Sequence, residues 1–152
     1  MRKGKEKKEN IGNIQQKKLK ILLLDNEQRW HDTIEKELTS YAEEKGFEIE
    51  ILHAYSPDEA INIYEKEKIK PNLIISDVSM TDIGHVSDKD GIYKFVKPLR
   101  EKYEYKGKII VVTSGEFDIL VEAFKAGANY CVRKQKLEEL KKAIDELEEK
   151  KK

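Results

Sequence analysis

Short apolar runs alternate with stretches of helical periodicity from residue 19 to the end of the chain. Most of the runs are apolar at nearly every position, which is typical of β-strands that are covered on both faces. The run at 47–53 instead alternates apolar and charged residues, which favours a strand nearer the edge of a sheet. The five predicted strands are 19–24, 47–53, 72–76, 108–114 and 128–132.

Between these runs, apolar residues recur at spacings of three and four, which predicts amphipathic helices. Gly46 is suited to end the first helix, and Ser56 and Pro57 are typical of the N-cap and first position of the second. Third and fourth helices are predicted at 91–103 and 116–126, and Pro98 is expected to bend or end the third. The apolar faces of the first and last helices consist of Trp30, Ile34, Leu38 and Tyr41, and of Leu140, Ile144 and Leu147.

The predicted order of elements is βαβαβαβαβα. Strands that alternate with helical crossovers form a parallel sheet with helices on both faces, so the sequence predicts an α/β fold of the doubly wound class. In such sheets the binding crevice lies at the carboxyl ends of the strands. The residues that follow each strand are therefore the first candidates for chemistry.

Composition limits the classes of function. The 152 residues suit one domain, and thirty Lys and Arg balance thirty Asp and Glu, so no global field favours nucleic acid or a membrane surface. The single cysteine excludes an internal disulfide and fits a reducing cytoplasm, and no apolar run is long enough to span a bilayer. Residues 1–18 are predicted to be a flexible basic tail, and 19–150 the folded domain.

Polar side chains follow four of the predicted strands. The first strand leads into the sequence DNE, which begins at Asp25, and the third ends at Asp77. The fourth ends at Thr113, and the fifth runs on to Lys134. An acidic cluster, a second carboxylate, a hydroxyl and an ammonium are therefore expected on one rim of the sheet. No Gly-rich phosphate loop follows the first strand, which argues against nucleotide binding.

These features resemble the receiver domain of two-component response regulators. The resemblance covers roughly 19–148 and is carried by ILLLD, by LIISD followed by Met80, by IIVVTS and by AFKAGANYCVRK. Each motif is weakly specific alone, but four of them at strand ends in this order form a specific pattern. The resemblance implies a flavodoxin-like, five-stranded parallel sheet of strand order 2-1-3-4-5 with five helices.

The resemblance also implies that a histidine kinase or a phosphotransfer protein phosphorylates Asp77 with Mg²⁺. General chemistry fits this role, because a carboxylate can accept a phosphoryl group and the transfer needs mainly alignment and charge neutralisation. Such a protein is not a conventional enzyme, since it catalyses its own phosphorylation and dephosphorylation. The family pattern assigns the chemistry to Asp77, Thr113 and Lys134, and the metal site to Asp25, Asn26, Asp77 and the backbone carbonyl of Ser79.

The resemblance further implies how such a protein signals. Because no sequence follows the fifth helix, we expect a stand-alone receiver that acts through a downstream partner protein. The family pattern puts its docking surface on the fourth helix, fifth strand and fifth helix, where phosphorylation would shift a two-state equilibrium. A homodimer is also compatible with this interpretation, and neither a membrane nor a nucleic-acid partner is expected.

Several positions depart from the family pattern. Asn26 stands where a second acid is usual, so the cation site has one negative charge fewer. Cys131, with Tyr130 beside it, stands where a switch aromatic is usual, and Gln135 replaces a proline. These departures favour an alternative, a pseudo-receiver that keeps the fold as an interaction module without a phosphorylation cycle. A phosphate-ester hydrolase is disfavoured, because Ser79 occupies the position of its second catalytic acid.

Other residues have ordinary interpretations. Asp caps helices and turns, and exposed Lys and strand-ending Thr are common without a function. The segment at 82–90 is longer than the usual loop, and a solvated surface loop is preferred there over an extra metal site or a lid over Asp77. His31 and His53 show no partner pattern and are predicted to be surface or strand-end residues, while Trp30 is predicted to be core.

Overall fold

The structure, a computed structural model, describes residues 17–78, 81–82, 85–86, 91–114 and 117–149. Of the predicted tail at 1–18, it describes only residues 17 and 18, and Lys18 is already the first residue of a strand. Within the described ranges, no helix has both the length and the apolar character needed to cross a bilayer.

Five strands pair in parallel to form one sheet. They are β1 (Lys18–Leu24), β2 (Glu48–Ala54), β3 (Leu73–Ser76), β4 (Lys108–Thr113) and β5 (Tyr130–Arg133). The order across the sheet is β2-β1-β3-β4-β5, which confirms the predicted flavodoxin-like arrangement. Because all neighbours are parallel, the carboxyl ends of the five strands lie on the same edge of the sheet.

Five helices cover the sheet. They are α1 (Gln28–Lys45), α2 (Pro57–Lys66), α3, which combines a π-helical part (Ile92–Val96) with an α-helical part (Lys97–Glu101), α4 (Phe117–Ala126) and α5 (Glu139–Glu149). A short 3-10 helix, Lys134–Lys136, lies between β5 and α5.

The predicted ends of α1 and α2 are confirmed by their geometry. Gly46 follows α1 in the left-handed conformation, with φ of 74°, which a glycine adopts without the steric cost that a Cβ atom brings. At the start of α2, the Ser56 hydroxyl accepts a hydrogen bond from the Glu59 N–H at 3.1 Å, and Pro57 occupies the first position. Local sequence signals were sufficient here because both caps use residues next to the helix.

Pro98 does not end the third helix, which continues to Glu101. Instead, the preceding turn is π-helical, and the Lys97 N–H donates to the carbonyl of Ile92 rather than to the residue four positions before it. Proline has no N–H to donate, and its ring crowds the carbonyl four residues earlier. A wider turn ahead of Pro98 accommodates both effects within a continuous helix.

The long segment after β3 contains two strands of two residues each. Thr81–Asp82 and His85–Val86 pair antiparallel, so part of the loop predicted at 82–90 is a short hairpin. The remainder of that segment lies outside the described residues. Its interpretation as a solvated loop, an extra metal site or a lid therefore stays a prediction.

The sheet has a hydrophobic core on each face, because alternate residues of a strand point to opposite sides. One core lies under α1 and α5, and the other lies under α2, α3 and α4. This two-sided coverage explains why the inner strands are apolar at nearly every position. The first core includes Ile21, Leu23, Ile34, Leu38, Ile75 and Ile144, and the second includes Leu22, Leu24, Tyr64, Ile74, Phe95 and Ile119.

Arg100 joins three segments at the amino-terminal edge of the sheet. Its half-buried guanidinium donates hydrogen bonds to the carbonyls of Tyr105, Gly107 and Gly127 at 2.7, 2.9 and 2.9 Å, and to Asn129 Oδ1 at 2.8 Å. Gly127 has φ of +127°, and a Cβ atom there would lie 2.4 Å from Cγ of Arg100, so a larger residue would displace this side chain. The guanidinium thus fixes the turns that lead into β4 and β5.

We predict that Arg100→Ala lowers the free energy of unfolding by about 2–4 kcal/mol, because several partly buried carbonyl oxygens lose a charged donor. Arg100→Lys should recover only part of the loss, since an ammonium lacks the planar fork that reaches all four acceptors. Urea unfolding measures both effects. Lys102→Ala, an exposed change at the end of the same helix, is the control, and an equal effect of the two alanine variants would contradict the role of Arg100.

Candidate functional site

The carboxyl edge of the sheet carries the four residues that the sequence marked as chemical. Asp25 follows β1, Asp77 follows β3, Thr113 ends β4, and Lys134 follows β5. All four are buried despite their polarity. Buried polar groups need partners, so the contacts among these residues determine what the edge can do.

Asp25 is positioned by the backbone on both sides of it. Its N–H donates to the carbonyl of Ala54 at 3.1 Å, which extends the pairing of β1 with β2 by one residue. Its Oδ1 accepts from the Glu27 N–H at 2.9 Å, which closes the turn that leads into α1. The carboxylate is 1% exposed, so it faces the protein rather than solvent.

Asp77 is positioned in the same way by the neighbouring strand. Its N–H donates to the carbonyl of Leu24 at 2.8 Å, so β3 continues beside β1 up to the carboxylate-bearing residue. The Ser76 hydroxyl donates to the carbonyl of Asp77 at 2.9 Å. These bonds put Asp77 on the same level as Asp25, because the two strands are adjacent and in parallel register.

Lys134 brings the two carboxylates together. Its Nζ lies 2.8 Å from Oδ2 of Asp25 and 2.9 Å from Oδ2 of Asp77. The 3-10 turn that starts at Lys134 directs the side chain back over the edge of the sheet. Two negative charges and one positive charge leave the cluster with a net negative charge.

Burial and the neighbouring charge both act on the ionisation of Asp25. Burial, and next the charge of Asp77, raise the pKa of the Asp25 carboxyl above its usual value, although Lys134 acts in the opposite direction. The site would therefore be stabilised by a further cation close to the two carboxylates.

The donor set fits a magnesium ion. Mg²⁺ is usually held by one or two carboxylates and keeps several waters. Among the residues described, no three acidic, histidine or cysteine side chains are grouped to bind a metal. Asp25 and Asp77, which share the contact with Lys134, would be the carboxylate ligands. Within the same part of the chain, Oδ2 of Asp25 is buried and accepts no well-aligned hydrogen bond, although it is in ionic contact with Lys134. Asn26 is exposed on the adjoining turn, and Ser79 lies outside the described residues.

Thr113 is fully buried and lies opposite Arg133 in the pairing of β4 with β5. Strand alternation directs Cys131 to the face covered by α4 and Tyr130 to the face covered by α5. Thr113 is on the α4 face by the same alternation. Tyr130 therefore lies on the opposite face of the sheet from Thr113, so it is not placed to replace the usual switch aromatic by direct contact with Thr113.

His31 is buried within α1, so the prediction that it is a surface or strand-end residue is wrong. Its Nδ1 lies 2.7 Å from Nδ1 of His53, and its Nε2 lies 2.8 Å from the carbonyl oxygen of Asp25. Because a carbonyl only accepts, Nε2 of His31 carries the proton in this arrangement. His53 in turn contacts Glu35 at 3.1 Å.

A sequence signal for His31 did exist. It precedes Ile34 and Leu38 by three and seven residues, so it continues the apolar face of α1. Burial lowers the pKa of the His31 imidazole, which favours its neutral form. Its hydrogen bond fixes the backbone of Asp25 at the start of the candidate site.

Trp30 was predicted to be core, and its half-buried ring does pack against the core under α1 and α5. It also lies beside the site, since Nζ of Lys134 is 4.7 Å from the centre of the ring. The ring therefore separates the ammonium of Lys134 from solvent on one side.

The sheet order and this acidic edge with its lysine define a flavodoxin-like α/β protein whose site lies at the carboxyl ends of the strands. A family profile described as the response regulator receiver domain matches residues 21–145, and the chain belongs to that family.

Solved structures agree with this fold. A response regulator receiver domain protein from Clostridium thermocellum is similar with a TM-score of 0.68 and 23% identity, over 88% of this chain and 96% of its own. A phosphorylated cyanobacterial phytochrome response regulator and a response regulator in its Mn²⁺-bound form give TM-scores of 0.64 and 0.63, each with 17% identity over 86% of this chain and 91% of their own. None of the curated proteins compared with the chain is significantly similar in sequence.

We predict that Asp25→Asn raises the free energy of unfolding in chelator-containing buffer by about 1 kcal/mol, because it removes one of two adjacent buried negative charges while Lys134 keeps its pair with Asp77. The amide oxygen can still accept from Glu27. The same variant should lose most of the stabilisation that added Mg²⁺ gives to the wild type. Thermal unfolding with and without Mg²⁺ measures both, with exposed Asp58→Asn as control, and a less stable Asp25→Asn in chelator would contradict the charge argument.

Cys131 provides a test of burial at β5. Burial raises the pKa of its thiol from 9.0 to about 11. Since the thiolate is the reactive form, the native protein at about pH 8 should react with a disulfide reagent roughly a hundredfold more slowly than the urea-unfolded chain. Equal rates in the native and unfolded states would show that the thiol is accessible and ionises normally.

Proposed function

We propose that the protein is a phosphorylatable receiver, in which Asp77 accepts a phosphoryl group from a histidine kinase or a phosphotransfer protein in the presence of Mg²⁺. The observation that carries this proposal is the contact of one buried ammonium, that of Lys134, with carboxylate oxygens of both Asp25 and Asp77. A structural turn acid would not need a second buried carboxylate beside it. The receiver domain then begins with β1 at Lys18 and extends to residue 150, preceded by a basic tail.

In the transfer step, a carboxylate oxygen of Asp77 forms a bond to phosphorus while the bond from phosphorus to the donor breaks, and the donor leaves with that electron pair. Lys134 is already beside Asp77, so its ammonium can pass to a phosphoryl oxygen over a short distance. Thr113, buried at the end of the neighbouring strand, would donate its hydroxyl to another oxygen.

The metal would be held by Asp25 and Asp77, with the side chain of Asn26 and the backbone carbonyl of Ser79 as further ligands. When bound, Mg²⁺ supplies neutralisation of the charge on the phosphoryl oxygens. The loss of one acid at Asn26 predicts weaker binding than a site with three carboxylates would give. Structural neighbours support both parts of the proposal, since one was solved phosphorylated and another with Mn²⁺.

The proposed output surface comprises α4, β5 and α5. On α4, Phe117 and Phe124 are 73% and 50% exposed, and they lie seven residues apart on one face with half-buried Val121 between them. Exposed aromatic side chains at this spacing support a protein partner, either a downstream target or a second copy of the chain. The supply of phosphoryl groups by a kinase supports a cytoplasmic location.

Asn26 and Cys131 favour a second candidate, a pseudo-receiver that uses the same surface without a phosphorylation cycle. The two functions differ in one measurable respect. A receiver incorporates phosphate at Asp77 in a cation-dependent reaction, and a pseudo-receiver does not.

We predict that acetyl phosphate with Mg²⁺ adds one phosphoryl group to the wild type and none to Asp77→Asn, because the variant lacks the acceptor carboxylate. Asp25, the other carboxylate in contact with Lys134, is 1% exposed and is proposed to hold the metal. Intact-protein mass spectrometry measures the incorporation, and chelation of the metal should abolish it. Asp58→Asn, which removes an exposed acid in the first turn of α2, should behave like the wild type. Phosphate incorporation by Asp77→Asn would reject the assignment of the acceptor, and no incorporation by any variant would favour the pseudo-receiver.

A further inference from the structure

The ammonium of Lys134 has an aromatic neighbour in addition to its two carboxylates. Its side chain is only 6% exposed, and Nζ lies 4.7 Å from the centre of the Trp30 ring. An ammonium within about 6 Å of an aromatic ring is attracted to the ring electrons, and tryptophan gives the strongest such contact. Trp30 belongs to the first turn of α1, which begins directly after the turn that carries Asp25.

Position matters for Lys134 because its ammonium is carried on a flexible four-carbon stem. The two carboxylates attract it, but the same oxygens are the ligands that a divalent cation would use. The ammonium and the cation therefore compete for Oδ2 of Asp25 and Oδ2 of Asp77. Any group that stabilises the ammonium at this place weakens cation binding, and it also keeps the lysine close to an acceptor oxygen of Asp77.

We propose that Trp30 is a positioning residue, which holds the Lys134 ammonium against Asp25 and Asp77. The ammonium held there opposes the entry of a cation in the resting protein, and it stays within reach of a phosphoryl group on Asp77. The part that concerns the phosphoryl group rests on the function proposed above. The part that concerns the cation stands on the contacts of Lys134 alone.

A purely structural role of Trp30 predicts a different outcome. If the ring only filled the core, its truncation would loosen the site and weaken cation binding and phosphoryl transfer together. If it positions Lys134, truncation frees the ammonium, so cation binding becomes tighter while phosphoryl transfer becomes slower. The two effects of opposite sign separate the alternatives.

The chain offers a matched control for loss of an aromatic ring. Phe47 is half-buried, packs against the same core as Trp30, and has the Nζ of Lys17 5.0 Å from the centre of its ring. It immediately precedes β2, so it lies at the amino-terminal edge of the sheet, away from the carboxylates. Phe47→Leu therefore reproduces the loss of packing and of a cation–aromatic contact without touching the site.

The test compares the full-length wild type with Trp30→Leu, Trp30→Phe and Phe47→Leu in three measurements. NMR of the lysine side chains records the ring-current shift of the Lys134 methylene protons, assigned through Lys134→Arg. Calorimetric titration with MgCl₂ gives the dissociation constant of the metal alone. Acetyl phosphate at saturating Mg²⁺ gives the phosphorylation rate constant.

For Trp30→Leu we expect loss of the ring-current shift, a Kd for Mg²⁺ that is about two- to fivefold lower, and phosphorylation that is about two- to fivefold slower, as the usual strength of such a contact implies. Trp30→Phe should lie between Trp30→Leu and the wild type, and it provides the comparison if Trp30→Leu does not fold. Phe47→Leu should change none of the three quantities.

An unchanged or higher Kd for Mg²⁺ in the Trp30 variants, or an unaltered Lys134 resonance, would overturn the proposal. Failure of the proposed function gives a separate result, namely a wild type that binds Mg²⁺ but takes up no phosphoryl group. In that case the resonance and the Kd still decide whether Trp30 positions Lys134.

Discussion

The carboxyl edge of the sheet depends on the contact of one ammonium, that of Lys134, with carboxylates from two strands. Asp25 and Asp77 are almost completely buried, and two such carboxylates side by side lose hydration and repel each other. Lys134 can offset this loss of hydration and this repulsion only if β1, β3 and β5 all end at the same level. The strand order makes this possible, because β1 and β3 are adjacent and β4 alone separates β3 from β5. The contacts of Lys134 with the two carboxylates therefore form only when the whole sheet is assembled.

The polar groups at the two edges of the sheet differ in how completely they are paired. At the amino-terminal edge, Arg100 meets neutral carbonyl and amide oxygens, and the Tyr105 hydroxyl donates to the carbonyl of Pro71 at 2.8 Å, so the polar groups there are well paired. At the carboxyl edge, the acids exceed the lysine by one charge, and a buried oxygen of Asp25 lacks a well-aligned donor among the residues that the structure describes. This incomplete compensation supports the proposed binding of a cation at the carboxyl edge.

Much of the fold was predictable because its signals are local. The apolar runs of β1, β3 and β4 follow from coverage of the sheet on both faces, and Gly46 and Ser56 act on the ends of their own helices. The order 2-1-3-4-5, by contrast, came from the resemblance to a family rather than from periodicity. The π-helical turn ahead of Pro98 was not predicted, since proline constrains a helix without specifying how the turn before it adapts.

The candidate site likewise has some features with local sequence signals and others without them. The sequence alone determined which residues lie at the strand ends, because the apolar runs stop directly before Asp25 and Thr113, and one residue short of Asp77 and Lys134. The tertiary structure decided which of them touch, that His31 is buried against the backbone of Asp25, and that the ring of Trp30 faces the ammonium of Lys134. Those contacts join segments that are distant along the chain, and no local pattern encodes a distance between side chains that only the packed sheet and helices bring together.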